Sequence, residues 1–285
     1  MTGISGRNRL RAPVTCPMIV GGVAGVGELN MRIRGGSIAL TTILAALAHE
    51  ELAIAQTPQQ YDWCIGKGDP APDLRIGACT ALIQSGKLAA INVPIAFSKR
   101  GDWYIAKGDY DRAIADYSEA IQLGPKYANA YHNRGSAYAN KKEYGRAIDD
   151  QKRFIELAPP KTSSPWLELA DYQRDLQQYD AALSSLRFAA KFDEDGPGTG
   201  PGMSVYYRMG WTLQLMGRHA DAIAAFTKGI AKQPDYYWAR YKRGLSYEKL
   251  GDRVNAVQDF KEAAAHIDRK IWENEMAKKF AEYGL

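Results

Sequence analysis

The sequence predicts an all-α fold, a solenoid of five copied helix pairs closed by a helix at each end. Three observations carry this expectation. Gly101, Gly135, Ala170, Gly210 and Gly244 lie 34, 35, 40 and 34 residues apart. Ala113, Ala147, Ala182, Ala222 and Ala256 step by identical intervals, and so do Tyr117, Gln151, Leu186, Phe226 and Phe260. Three series in one register mean a single structural unit in five copies, and a period of 34 residues suits two helices and their turns.

The chain before the repeats follows a different logic. Arg32 and Arg34 make a short basic start after Met31, Ser37–Ala48 is an uncharged apolar run, and Ala53-Ile54-Ala55 precedes Gln56. That order is a secretory signal peptide over residues 31–55, with Ala46-Leu47-Ala48 as a second cleavage point. The run is shorter than the roughly 20 apolar residues of a membrane span, so the mature protein is expected to have none. Residues 1–30 then read as an upstream extension of the true chain. Gly27-Glu28 is encoded by a purine-rich string placed where a bacterial ribosome-binding site would lie. A native arm ahead of a buried apolar helix is the alternative.

Residues 56–93 form an N-terminal cap, in which Leu74–Ile83 reads as the second helix of a repeat without its first. Cys64 and Cys79 are either bridged or two buried free thiols. Bridging agrees with export, because disulfides persist outside the cytoplasm. The repeats follow at 94–127, 128–161, 163–196, 203–236 and 237–270. In the first, Phe97, Arg100, Gly101 and Tyr104 share one helical face. Gly108 ends that helix, Asp109 caps the next, and Pro125 stops it. Gly101 is expected to face Ala113 where the paired helices cross. The third copy departs from the pattern: Ala170 replaces glycine, no proline closes it, and Asp193–Gly202 reads as an inserted loop. Over 271–285, Trp272, Met276 and Phe280 make the apolar stripe of a C-terminal cap.

Asn133-Arg134-Gly135-Ser136-Ala137-Tyr138 with Tyr144-Gly145-Arg146-Ala147-Ile148, and Lys242-Arg243-Gly244-Leu245-Ser246-Tyr247 ahead of Ala256 and Phe260, resemble the tetratricopeptide repeat (TPR). The resemblance covers residues 94–270 and implies a right-handed superhelix lined inside by the first helix of each copy. With Tyr61-Asp62-Trp63-Cys64 and Ala78-Cys79-Thr80, the chain is also similar to exported TPR proteins of alphaproteobacteria. That likeness implies a periplasmic or secreted location.

Chemistry is sparse. The formal charge is +5, with basic residues scattered among acids, which argues against nucleic acid as a partner. His132, His219 and His266 fall in separate copies, without cysteine or carboxylate at ligand spacing, and His49 lies in the expected leader. Gly21–Gly27 lacks the Lys-Ser/Thr of a phosphate loop, and Asp193-Glu194-Asp195-Gly196 lacks the ligand pattern of a calcium loop. Arg100-Gly101-Asp102 spells an adhesion tripeptide inside a helix. No catalytic residue, cofactor or metal is expected.

The resemblance places Asn129, His132, Asn133 and Ser136 on the inner surface, then Tyr207, Arg208, Trp211 and Gln214, then Trp238, Tyr241, Lys242 and Leu245. These make a groove for a protein or peptide partner with apolar side chains and an acidic group or free carboxylate. A carboxylate clamp of the chaperone-binding kind is incomplete. Asn133 matches it, but Ser98, Asp102, Ser164 and Glu168 stand where amide or basic residues are needed. The expected function is a non-catalytic interaction scaffold in the bacterial envelope. A cytoplasmic adaptor and an accessory subunit of an envelope enzyme are the alternatives.

Overall fold

A computed structural model describes residues 58–195, 200–266 and 274–285, all within one compact unit, Gln56–Leu285. The expected leader and the residues before it, Trp272, and the middle of the expected loop (196–199) lie outside the described residues. Helical residues 58–64 (α1) and α2 (Pro72–Gln84) precede a 3₁₀ turn, Ala90–Asn92. Five helix pairs follow: α3 (Val93–Ala106) with α4 (Tyr110–Leu123), α5 (Ala128–Asn140) with α6 (Tyr144–Leu157), and α7 (Ser164–Asp175) with α8 (Tyr179–Asp195). The last two are α9 (Met203–Leu215) with α10 (His219–Lys232) and α11 (Tyr237–Lys249) with α12 (Arg253–Ala265). Each pair packs on the next, α2 covers α3, and α13 (Asn274–Glu282) lies on α12, so the described chain is an all-α solenoid. Among the described residues, no helix is long and apolar enough to cross a membrane.

The turns within pairs explain the punctuation. Gly108, Gly217 and Gly251 take φ of 74°, 74° and 79°, a left-handed turn that lets the second helix fold back. Lys142 and Gln177 hold the same place in the second and third copies with φ of 62° and 59°. Asp109 accepts from the Arg112 N–H at 3.1 Å as the expected cap of α4, and Asp252 caps α12 through Asn255 at 3.2 Å.

The glycine register has a different partner from the one expected. The five alanines are fully buried, but Gly101 faces the Tyr117 ring rather than Ala113. A Cβ added at Gly101 would stand 2.7 Å from that ring, at Gly210 2.7 Å from Phe226, and at Gly244 2.6 Å from Phe260. Glycine therefore makes room for the aromatic ring of the third series, which is too wide to pass a side chain. In the second copy Gln151 replaces the ring, and there a Cβ added at Gly135 would stand 3.3 Å from both the Ala147 carbonyl oxygen and the Asp150 Cβ.

A second device joins copies. Arg134 donates through Nε and Nη2 to Asp150 at 2.8 Å each, and through Nη1 to Ser118 of the preceding pair at 3.0 Å. Arg100 does the same with Asp116 and Thr80, and Arg243 with Asp259 and Thr227. One guanidinium thus ties three helices. Arg100 and Asp102 are consumed in such contacts, Asp102 accepting from Tyr117 and Asn133, so the adhesion tripeptide is structural. In the third and fourth copies all three positions change together, to Lys152, Leu169 and Ser185, and to Arg187, Met209 and Ala225.

The ends are built differently. Cys64 and Cys79 are joined by a disulfide with Cα atoms 4.8 Å apart, and Trp103 packs against them while donating to the Cys64 carbonyl at 3.1 Å. Arg75 lies over Trp103 and holds the intervening loop through the Gly68 and Pro70 carbonyls. At the other end Met276 and Phe280 are buried against Tyr241, Ala256, Phe260 and Ala263. The expected loop at Asp193–Gly202 is shorter than its composition indicated, because α8 runs on through Asp195 with no proline to stop it. Asp193 to Asp195 are therefore helical, which removes the hint of a calcium loop.

Candidate functional site

The first helices of the middle copies bring two adjoining clefts together. Tyr207, Arg208 and Trp211 on α9, expected from sequence, share a cleft of about 180 Å³ with Met203, Ser204, Tyr236, Asp171 and Arg174. A wider cleft of about 380 Å³ is lined by Ser136, Ala139, Asn140 and Tyr144 of the second copy and Asp171, Tyr172 and Asp175 of α7. Asp171 belongs to both walls.

Charge is arranged across that shared wall. Asp171 accepts from Arg174 Nη1 at 2.6 Å and from Arg208 Nε at 2.8 Å, and Asp175 accepts from Arg174 Nη2 at 3.1 Å. Arg208 therefore links the fourth copy to the third. Arg174 is 7 % exposed, and its guanidinium lies over the Trp211 ring, 4.0 Å from the centroid. Lys242 of α11 approaches the same ring at 5.3 Å. A tryptophan between two cations is held by its ring quadrupole as well as by packing. The Arg174 Nε–H is buried with no protein acceptor. Burial pushes the Tyr236 hydroxyl above its ordinary pKa, and the Tyr172 hydroxyl too, against the opposing effect of a hydrogen bond with Ser136. Both remain neutral donors at physiological pH.

The other expected residues divide. Ser136 lines the wider cleft. Asn129 is exposed at the start of α5, and Asn133 is turned to Asp102 at 2.9 Å. His132 packs at a tilt against Phe154, with Nδ1 3.2 Å from Gln151 Oε1 and 3.5 Å from Glu168 Oε2. Gln214 donates to the Lys242 carbonyl and to Ser246, joining α9 to α11. Trp238 is half-buried beside Tyr237 and Tyr241. Tyr241 corrects the sequence expectation: it is 6 % exposed and packs on Phe260 and Phe280, so it belongs to the core under the C-terminal cap. Leu245 also packs at that core.

Sequence reasoning missed Asp171, Arg174 and Asp175. The i, i+3, i+7 face of Glu168, Asp171 and Asp175 is the sequence signal that could have found the two aspartates. Arg174 had none, since its partner Trp211 lies in the next copy. The arginine beside the aromatics is already paired, which removes the reason for expecting an acidic partner. Among the described residues, no group of three or more His, Cys, Asp or Glu side chains is placed to hold a metal.

Known proteins resemble the repeats and the fold of this chain. Models described as TPR repeat and Tetratricopeptide repeat match residues 101–142, 128–161 and 207–270. Tetratricopeptide repeat protein 28 of Homo sapiens is 42 % identical over 59 residues, 21 % of this chain, and that of Mus musculus 41 % over 58 residues. The match spans 2 % of the length of either relative. A crystal structure of MamA superposes with a TM-score of 0.54 at 26 % identity, over 68 % of this chain and 97 % of that one. YrrB, described as a TPR protein with an unusual peptide-binding site, superposes with a TM-score of 0.55 at 21 % identity, over 72 % of this chain and 98 % of its own.

Proposed function

This chain belongs to the tetratricopeptide-repeat family, and on that premise we propose that it is a non-catalytic scaffold holding a protein or peptide segment in the groove of its middle copies. The observation that carries the reading is the pair of clefts meeting at Asp171, one walled by Tyr207, Trp211 and Tyr236. Tyrosine and tryptophan bury large area at small entropic cost and dominate interface energies. Arg174 holds the Trp211 ring and Arg208 ties α9 to Asp171 before any partner arrives, which lowers the ordering cost of association.

Selection of a random peptide display library on the full chain tests this. Peptides are expected to be enriched, and to lose binding on the Trp211→Ala variant while circular dichroism stays helical. A library that yields nothing above background would sink the proposal.

The working place belongs to the same proposal. An exported envelope protein accounts for the Cys64–Cys79 bridge and for the basic, apolar and small-residue order of residues 31–55. Intact mass of natively produced protein is expected to show a chain starting at Gln56 or His49 with no free thiol. A chain retaining Met31 with two reactive thiols would refute export.

A further inference from the structure

The groove is polarised, and its polarity names the class of segment it accepts. On the α9 side stand Tyr207, Trp211 and Tyr236, with the Arg174 guanidinium over the Trp211 ring. On the α5 side stand Ser136, Asn140 and two carboxylates, with no lysine or arginine on that wall. Asp175 keeps 39 % of its side chain exposed, and its one hydrogen bond, to Arg174, engages a single oxygen. Arg174 supplies a second, independent observation: a buried Nε donor without an acceptor at the apolar cleft, an arrangement that costs stability until a carbonyl reaches it.

We infer that the occupant is an extended peptide in which a large apolar residue stands beside a lysine or arginine. The apolar side chain fills the cleft at Tyr207 and Trp211, and the cation meets Asp175. The backbone between them passes Asp171 and offers a carbonyl toward Arg174. An acidic segment is disfavoured, because Arg174 and Arg208 already carry carboxylate partners and Asp175 would repel it. This deepens the proposed function and rests on it.

Titration of the full chain with capped octapeptides, followed by tryptophan fluorescence and calorimetry, tests the inference. The probes carry phenylalanine next to lysine, or one residue from it, and the controls replace lysine with glutamate or with norleucine. The lysine peptides are expected to bind most tightly. The Asp175→Asn variant is expected to weaken them about fivefold, as an exposed ion pair would, while leaving the norleucine peptide unchanged. Glutamate peptides binding as well as lysine peptides, or lysine peptides indifferent to Asp175→Asn, would overturn the inference and leave the scaffold reading intact. Failure of all the probes, where library peptides of another composition bind, has the same meaning. Failure of every peptide, library included, would overturn both.

Discussion

Lys142 and Gln177 occupy left-handed backbone where the other copies place glycine. A residue with a Cβ pays steric strain there, so Lys142→Gly or Gln177→Gly is expected to raise stability by up to about 1 kcal/mol, read as an upward shift of the denaturation midpoint. The reverse holds at Gly210, where any Cβ would enter the Phe226 ring. Gly210→Ala is expected to cost about 1–3 kcal/mol by overpacking. Gly210→Ala with Phe226→Leu should cost less than the sum of the single changes, and simple additivity in thermal melts would contradict the ring-on-glycine contact. The glycine register was visible in the sequence, but its partner was not. Periodicity locates a small residue without saying which neighbour needs the space, and the alanine and aromatic series were equally regular.

At the scale of elements, Arg100, Arg134 and Arg243 each hold their own pair together and attach it to the helix before it. Arg134 and Asp150 are mostly buried, with 20 % and 7 % of their side chains exposed. Arg134→Leu would strand the Asp150 carboxylate and is expected to cost about 3 kcal/mol. Exchanging the whole set, Ser118→Lys with Arg134→Leu and Asp150→Ser, reproduces the third copy's solution and should recover part of that loss in urea denaturation. The helix pairs, the α4 cap and the covering role of α2 were all legible, since breakers and helical spacing act locally. The arginine ties were not, because each spans three helices separated by 16 residues or more on either side. For the same reason the clefts were half legible. Tyr207, Arg208 and Trp211 follow from a single helical face, whereas Asp171, Arg174 and Asp175 gain their meaning from a neighbouring copy.

Across the whole described molecule the two ends differ in kind. The disulfide closes its loop at α1 and α2 and stabilises that end by about 3 kcal/mol in the chain-entropy model. At α13, Glu248 accepts from Lys279 at 3.0 Å and from Tyr283 at 2.7 Å. Burial opposes ionisation of Glu248, but the Tyr283 hydroxyl and the Lys279 ammonium outweigh it and hold its pKa below the ordinary 4.5. A carboxyl lowered in the folded state stabilises the fold above its ordinary value and loses that contribution as pH falls through the lowered one. Protection of the amides over 274–285, taken relative to their intrinsic exchange rate at each pH, is therefore expected to hold its neutral level down to about pH 5 and to fall below pH 4.5, with Glu248→Gln removing most of the pH dependence. Equal protection at pH 3 and pH 7 would refute the linkage. The Cys64–Cys79 bond has one more consequence. A stack whose layers lean only on their neighbours ordinarily frays from both tips, but a covalent rivet at one tip makes the unzipping directional, starting from the carboxyl terminus. Reductant would restore the second starting point, so the same chain should come apart by different routes in oxidising and reducing surroundings.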